Sequence, residues 1–114
     1  MHAEATSEKI AFGWRLDGLC TAVIGTHTHV QTADARILPG GTGYITDAGM
    51  CGPRDSVIGM ERGPVIERFL TGIPARFEVA KGPLMLSAVV IETEPATGRT
   101  TEIYPVLLRE GIDE

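Results

Sequence analysis

Cys20-Thr-Ala-Val-Ile-Gly25, running straight into Thr26-His-Thr-His29, is the stretch from which the fold is read. The apolar run is short, partly β-branched and closed by glycine, the pattern of a buried strand. Just upstream, residues 4–17 set Ala5, Ile10, Ala11, Trp14 and Leu16 between Glu4, Glu8, Lys9, Arg15 and Asp17, which is the period of an amphipathic helix. Thr6 and Ser7 are its candidate start and Gly18 its stop. Phe12 and Trp14 read as core. A helix leading directly into a buried strand is the grammar of an α/β fold.

Outward from this unit, a turn-rich passage with Pro39-Gly-Gly41 precedes a second apolar run, Gly43-Tyr-Ile-Thr46, which stops at Asp47. Residues 49–63, carrying Gly49, Gly52-Pro53, Gly59 and Gly63, read as one long loop of the kind that often serves function. Pro64 in a first-turn position, with Val65, Ile66, Phe69 and Leu70 behind it, marks a short second helix ending by Gly72. Strands are expected at residues 76–79, 84–93 and 99–108, the last two joined by the turn Pro95-Ala-Thr-Gly98. Met85, Ser87, Val89 and Ile91 share one face of 84–93, and Leu86, Ala88 and Val90 the other. Both faces are mainly apolar, so this strand is expected inside a sheet.

Composition bounds the partners. The 114 residues are 43% apolar and 22% charged, which suits one globular domain, and 14 Gly with 7 Pro favour short elements over long helices. A net charge of −5 without a Lys/Arg cluster argues against a nucleic-acid backbone as structural partner. No run approaches the ~18 apolar residues of a membrane span. Cys20 and Cys51 form no Cys-x-x-Cys pair and no secretory signal precedes them, so packed thiols in a reducing cytoplasm are expected.

His27-Thr28-His29 is the sharpest local feature. In an extended chain, residues i and i+2 point to the same side with Cα atoms roughly 6.5–7 Å apart, so two imidazoles at a strand end can converge on one ion or on two adjacent ones. The plainer alternative is a pair of histidines on an exposed loop. His2, the remaining histidine, lies one helix upstream and by itself reads as an ordinary terminal residue. Three imidazoles fill most of a tetrahedral zinc shell, whereas a two-metal hydrolase also needs carboxylates. Val30 and Gln31 after His29 exclude the His-x-His-x-Asp-His pattern of metallo-β-lactamases, and the chain is too short for the roughly 250-residue barrel of amidohydrolases. Asp47 is placed either to orient an imidazole or only to form a turn. Thr28, like Thr26 and Thr46, either donates to phosphate or caps loop backbone. Arg54 and Arg62 have the fork for bidentate phosphate contact, with solvated surface arginine as the plainer reading. Glu4 and Glu8 are accounted for by the helix dipole.

The ordered series His2-Ala-Glu-Ala-Thr-Ser-Glu-Lys9, Ala22-Val-Ile-Gly-Thr-His-Thr-His-Val-Gln-Thr-Ala-Asp34, Ile37-Leu-Pro-Gly-Gly-Thr42 and Thr46-Asp-Ala-Gly-Met-Cys-Gly-Pro53 resembles the C-terminal half of the YmdB-like metallophosphoesterases. The likeness continues through Arg68-Phe-Leu70, Arg76-Phe-Glu-Val79 and the final hairpin. It implies a partial calcineurin-like α/β fold, two packed β-sheets flanked by helices, with residues 1–114 as the C-terminal part of one metallophosphoesterase domain whose N-terminal half is absent. It implies two divalent or trivalent ions of the Mn, Fe or Zn class, with His2 and His27 on one and His29 on the other. Asp47 and Thr28 would support these ligands or meet substrate, and the general-acid histidine and bridging carboxylate would belong to the absent half. The implied reaction is hydrolysis of a small phosphoester such as a cyclic nucleotide by a metal-activated water attacking in line. The alternative is a non-catalytic module that assembles with itself or with a separate N-terminal half. Truncated sheets would leave apolar edges uncovered, so a homo-oligomer is expected.

Overall fold

Helix α1 (Thr6–Leu16) starts without a side-chain cap, because Ala5 rather than Thr6 or Ser7 takes the extended N-cap position. The computed structural model describes residues 1–112. After α1 come β1 (Ala22–Ile24), β2 (Arg36–Ile37), β3 (Gly43–Ile45), β4 (Gly52–Pro53), α2 (Arg62–Thr71), β5 (Leu84–Thr93) and β6 (Thr100–Arg109). This is a mixed α/β chain with two three-stranded sheets, ordered β1-β3-β2 and β4-β5-β6, among the described residues. No helix of the described residues is long and apolar enough to cross a membrane. The described residues fall into two compact units, one formed by 1–49 with 87–106 and the other by 50–86 with 107–112.

In the first unit the sheet is centred on β3. It pairs in parallel with β1, Val23 opposite Tyr44 and Ile24 opposite Ile45, and antiparallel with β2, Arg36 opposite Tyr44. A parallel neighbour requires a crossover longer than a tight turn, which the turn-rich passage supplies. Val23, Leu38 and Tyr44 form the core, with Leu16 and Cys20 packed against them. Gly13 lets α1 approach this core closely, since a Cβ there would stand 2.7 Å from Tyr44 Cδ2. The buried residues of α1 are therefore Lys9 and Gly13. Trp14 and Phe12, expected in the core, are exposed at 49% and 41%. The closest-packed side of the helix is the one with the smallest side chain, and Trp14 instead lies under the Arg36 guanidinium, 5.4 Å from its ring centroid.

In the second unit β4 pairs antiparallel with the first residues of β5, Gly52 opposite Met85 and Pro53 opposite Leu84. β5 is thus flanked on both sides only at its start. Helix α2 ends where Gly72 adopts φ 70° and its N–H bonds Arg68 O at 2.8 Å, the left-handed cap that glycine takes without a Cβ penalty. The strand expected at residues 76–79 does not form. Only Val79 makes a bridge, to Met60, because this segment meets the tight turn at 57–60 instead of a strand that could extend a ladder. Cys51, expected to be packed, is exposed, while Cys20 is half-buried with its thiol against Leu16 O and Ala22 O. The hairpin joining β5 and β6 closes through Gly98 N–H and Arg99 O, both bonded to Glu94.

Candidate metal centre

Beyond Ile24 the edge of β1 is continued by the first two residues. Met1 N donates to Ile24 O at 2.6 Å, Thr26 N–H donates to Met1 O at 2.9 Å, and His2 and Thr26 form a parallel bridge. This short ladder carries His2 to the end of the strand. His2 Nδ1 lies 3.0 Å from Thr26 Oγ1, and His2 Nε2 lies 3.2 Å from His27 Nδ1. The two rings meet edge to face, centroids 4.9 Å apart and planes at 74°, and both side chains are open to solvent.

The donor set fits a shared ion. Zinc–imidazole bonds of about 2.0–2.1 Å in a tetrahedral shell put neighbouring nitrogens about 3.3 Å apart, close to the separation between His2 Nε2 and His27 Nδ1. His2 Nδ1 faces the Thr26 hydroxyl and Nε2 faces His27; the tautomer with its proton on Nδ1 would leave the Nε2 lone pair for an ion, the arrangement that orients a ligating imidazole.

His29 is not brought into the same cluster. Among the described residues no group of three or more His, Cys, Asp or Glu side chains is placed to hold an ion. The spacing expected of an extended chain does not apply, because the segment is not extended. His27 has φ 134° and His29 φ 65°, so the two flank a tight turn in which i and i+2 no longer share a side. Thr28 closes that turn with its own side chain, its hydroxyl donating to Val30 O at 3.0 Å and accepting from Val30 N–H at 3.3 Å.

Asp47 is fully buried, and its partners are not imidazoles. Oδ2 accepts from Thr28 N–H at 2.7 Å and from Lys9 Nζ at 3.3 Å, while Oδ1 accepts from Gly49 N–H at 2.9 Å. Burial pushes its carboxyl up, but the Gly49 and Thr28 amides and Lys9 outweigh this and hold it below the usual carboxylate range. Lys9, the buried partner of Asp47, was missed in the sequence, since helical periodicity assigns it to the polar face of α1. Gly13, one helical turn later on the same stripe, is the one sign that this stripe faces inward. Gln31 was missed as well: its Nε2 donates to Ala88 O at 3.1 Å and Val106 O at 3.0 Å. Arg54 is not a freely solvated arginine, because its Nε and Nη1 are inaccessible, with Asp55 3.5 Å from Nε.

A family model described as YmdB-like protein matches residues 1–106. The chain is 56% identical over 109 residues to the 2',3'-cyclic-nucleotide 2'-phosphodiesterase of Bacillus subtilis (strain 168), an alignment covering 96% of this chain and 41% of that protein. Among solved structures, a hypothetical protein from Thermus thermophilus superposes with a TM-score of 0.89 at 49% identity, over 96% of this chain and 42% of the other. A novel phosphatase from Mycoplasma pneumoniae superposes with a TM-score of 0.90 at 44% identity, over 96% and 39%. The chain spans about two-fifths of the length of the curated relative it matches.

Proposed function

This chain belongs to the YmdB-like protein family, and we propose that it is one part of a metal-dependent phosphoesterase with a calcineurin-like binuclear centre. His2 and His27 are ligands to one ion and His29 to the second. The observation that carries this reading is the 3.2 Å approach of His2 Nε2 to His27 Nδ1. Two ions of the Mn, Fe or Zn class supply, when bound, Lewis acidity toward a phosphoryl oxygen and a water of lowered pKa. The chain's own residues would offer two imidazole nitrogens 3.2 Å apart, with the Thr26 hydroxyl against one ring. The substrate is a small phosphoester, and the name of the Bacillus relative makes a 2',3'-cyclic nucleotide the first to try.

A binuclear site needs more ligands than these, and no third His, Cys, Asp or Glu joins the imidazole pair among the described residues. In this reading the bridging carboxylate and the general acid are supplied by other polypeptide, either a longer chain of the relatives' length or a separate half. Cys20 and Cys51, as thiols rather than a disulfide, suit a reducing cytoplasm.

The test is hydrolysis of bis(p-nitrophenyl) phosphate and of 2',3'-cyclic AMP with added manganese, by these 114 residues and by a protein of the relatives' length that contains them. We expect turnover only in the longer protein and its loss on His27→Ala. Full manganese-dependent turnover by the His27→Ala protein would remove the imidazole pair from the mechanism.

A further inference from the structure

We propose that Lys9 and Asp47 are positioning residues: a buried ion pair that clamps Thr28 N–H and thereby sets the turn that aims His27 at His2. Its functional meaning rests on the reading of His2 and His27 as ligands, while its structural content rests on geometry alone.

Lys9 and Asp47 are 1% and 0% exposed, with Nζ and Oδ2 3.3 Å apart. Taking both charges out of water is costly, and a buried pair is in general weak evidence for stability, being replaceable by apolar groups. What this pair does that apolar groups cannot is present a fixed acceptor. Oδ2 takes Thr28 N–H at 2.7 Å, the shortest of the carboxylate's contacts, and Oδ1 takes Gly49 N–H. Thr28 is the residue between His27 at φ 134° and His29 at φ 65°, backbone conformations that residues with a Cβ seldom adopt and that persist only when their surroundings hold them. One side of the turn is already tied by Thr26 N–H to Met1 O. Asp47 ties the other. With Thr28 released, His27 relaxes toward ordinary φ values and its Nδ1 leaves the neighbourhood of His2 Nε2. Lys9 contributes from α1 and Asp47 from just beyond β3, so the turn is registered against two elements of this unit.

Two readouts on the 12.2 kDa chain test this. The first is nuclear Overhauser contact between the His2 and His27 ring protons in metal-free protein. The second is zinc affinity by calorimetry. Asp47→Asn opposes an amide N–H to one of its three donors, and Lys9→Met with Asp47→Asn removes both charges together, which keeps a variant available should the single change fail to fold. In the folded double variant we expect the ring contacts to vanish and zinc affinity to fall about 10–100-fold, the usual effect of losing a group that orients a ligand. Ring contacts and affinity that match the unsubstituted chain in that variant would overturn the clamp. Zinc uptake that is absent from the unsubstituted chain, or unaffected by His27→Ala, would sink the metal reading instead, and the ring contacts would still decide the clamp.

Discussion

Asp34 shows how much a single carboxylate can organise. Its Oδ1 accepts from Thr32 Oγ1 at 2.6 Å and from Thr46 N–H at 3.1 Å, and its Oδ2 accepts from the Thr46 hydroxyl, which also meets Tyr44 Oη at 2.9 Å. Burial pushes this carboxyl up, but the threonine hydroxyls and amide donating to it win and lower it. Asp34 and Asp47 both titrate below the unfolded value of about 4. The stability they contribute is therefore complete above that value and is lost as pH falls through the depressed folded values. Melting temperature should be level from neutral to mildly acid solution and drop below pH ~4. Asp34→Asn should melt lower at neutral pH and show a shallower acid decline, and thermal melts across acid buffers would expose the contrary. The His27-Thr28-His29 motif was legible in the sequence as a candidate site. Its geometry was not, because nothing in the residue types announces that two histidines adopt positive φ. Lys9 was illegible for a related reason: helical periodicity sorts residues by polarity, and here a lysine is drawn inward by a carboxylate far along the chain.

At the scale of elements, Gln31 links the segment after the site to its surroundings. Its side-chain amide donates to Ala88 O in β5 and Val106 O in β6, and lies 3.4 Å from Ala48 O beside Asp47. Three carbonyls converge on one donor group, so Gln31→Ala should cost about 1–3 kcal/mol. Gln31→Glu should cost more, because it faces acceptors with an acceptor. Urea unfolding measures both, and an unchanged midpoint for either would remove this role. Elements with strong local signals were legible: α2 with its terminal glycine, and the β5–β6 hairpin with its Pro-to-Gly turn. β2 and β4 were not, since two residues carry no period and exist as strands only through β3 and β5. The unformed strand at 76–79 is the converse case, with suitable residues and no partner to pair with.

For the molecule as a whole, the α/β class and the family were legible because motifs in a fixed order are far more specific than any one of them. What covers the exposed apolar residues was not. Of the apolar residues of α2 only Val65 is buried, while Phe69 and Leu70 are 86% and 81% exposed, more than isolated surface residues need. We propose that the chain self-associates through this helix. Sedimentation at tens of micromolar should show species heavier than the 12.2 kDa monomer, and Phe69→Glu with Leu70→Glu should return them to monomer. A monomer without these substitutions would refute it.

If His2 and His27 are joint ligands of one ion, zinc uptake depends on both rings. This dependence is tested most directly by calorimetric titration of zinc into the unsubstituted chain, His2→Ala and His27→Ala. We expect one saturable site in the first and at least tenfold weaker uptake in each variant, in keeping with the tetrahedral nitrogen spacing of about 3.3 Å. Equal uptake by all three proteins would contradict it.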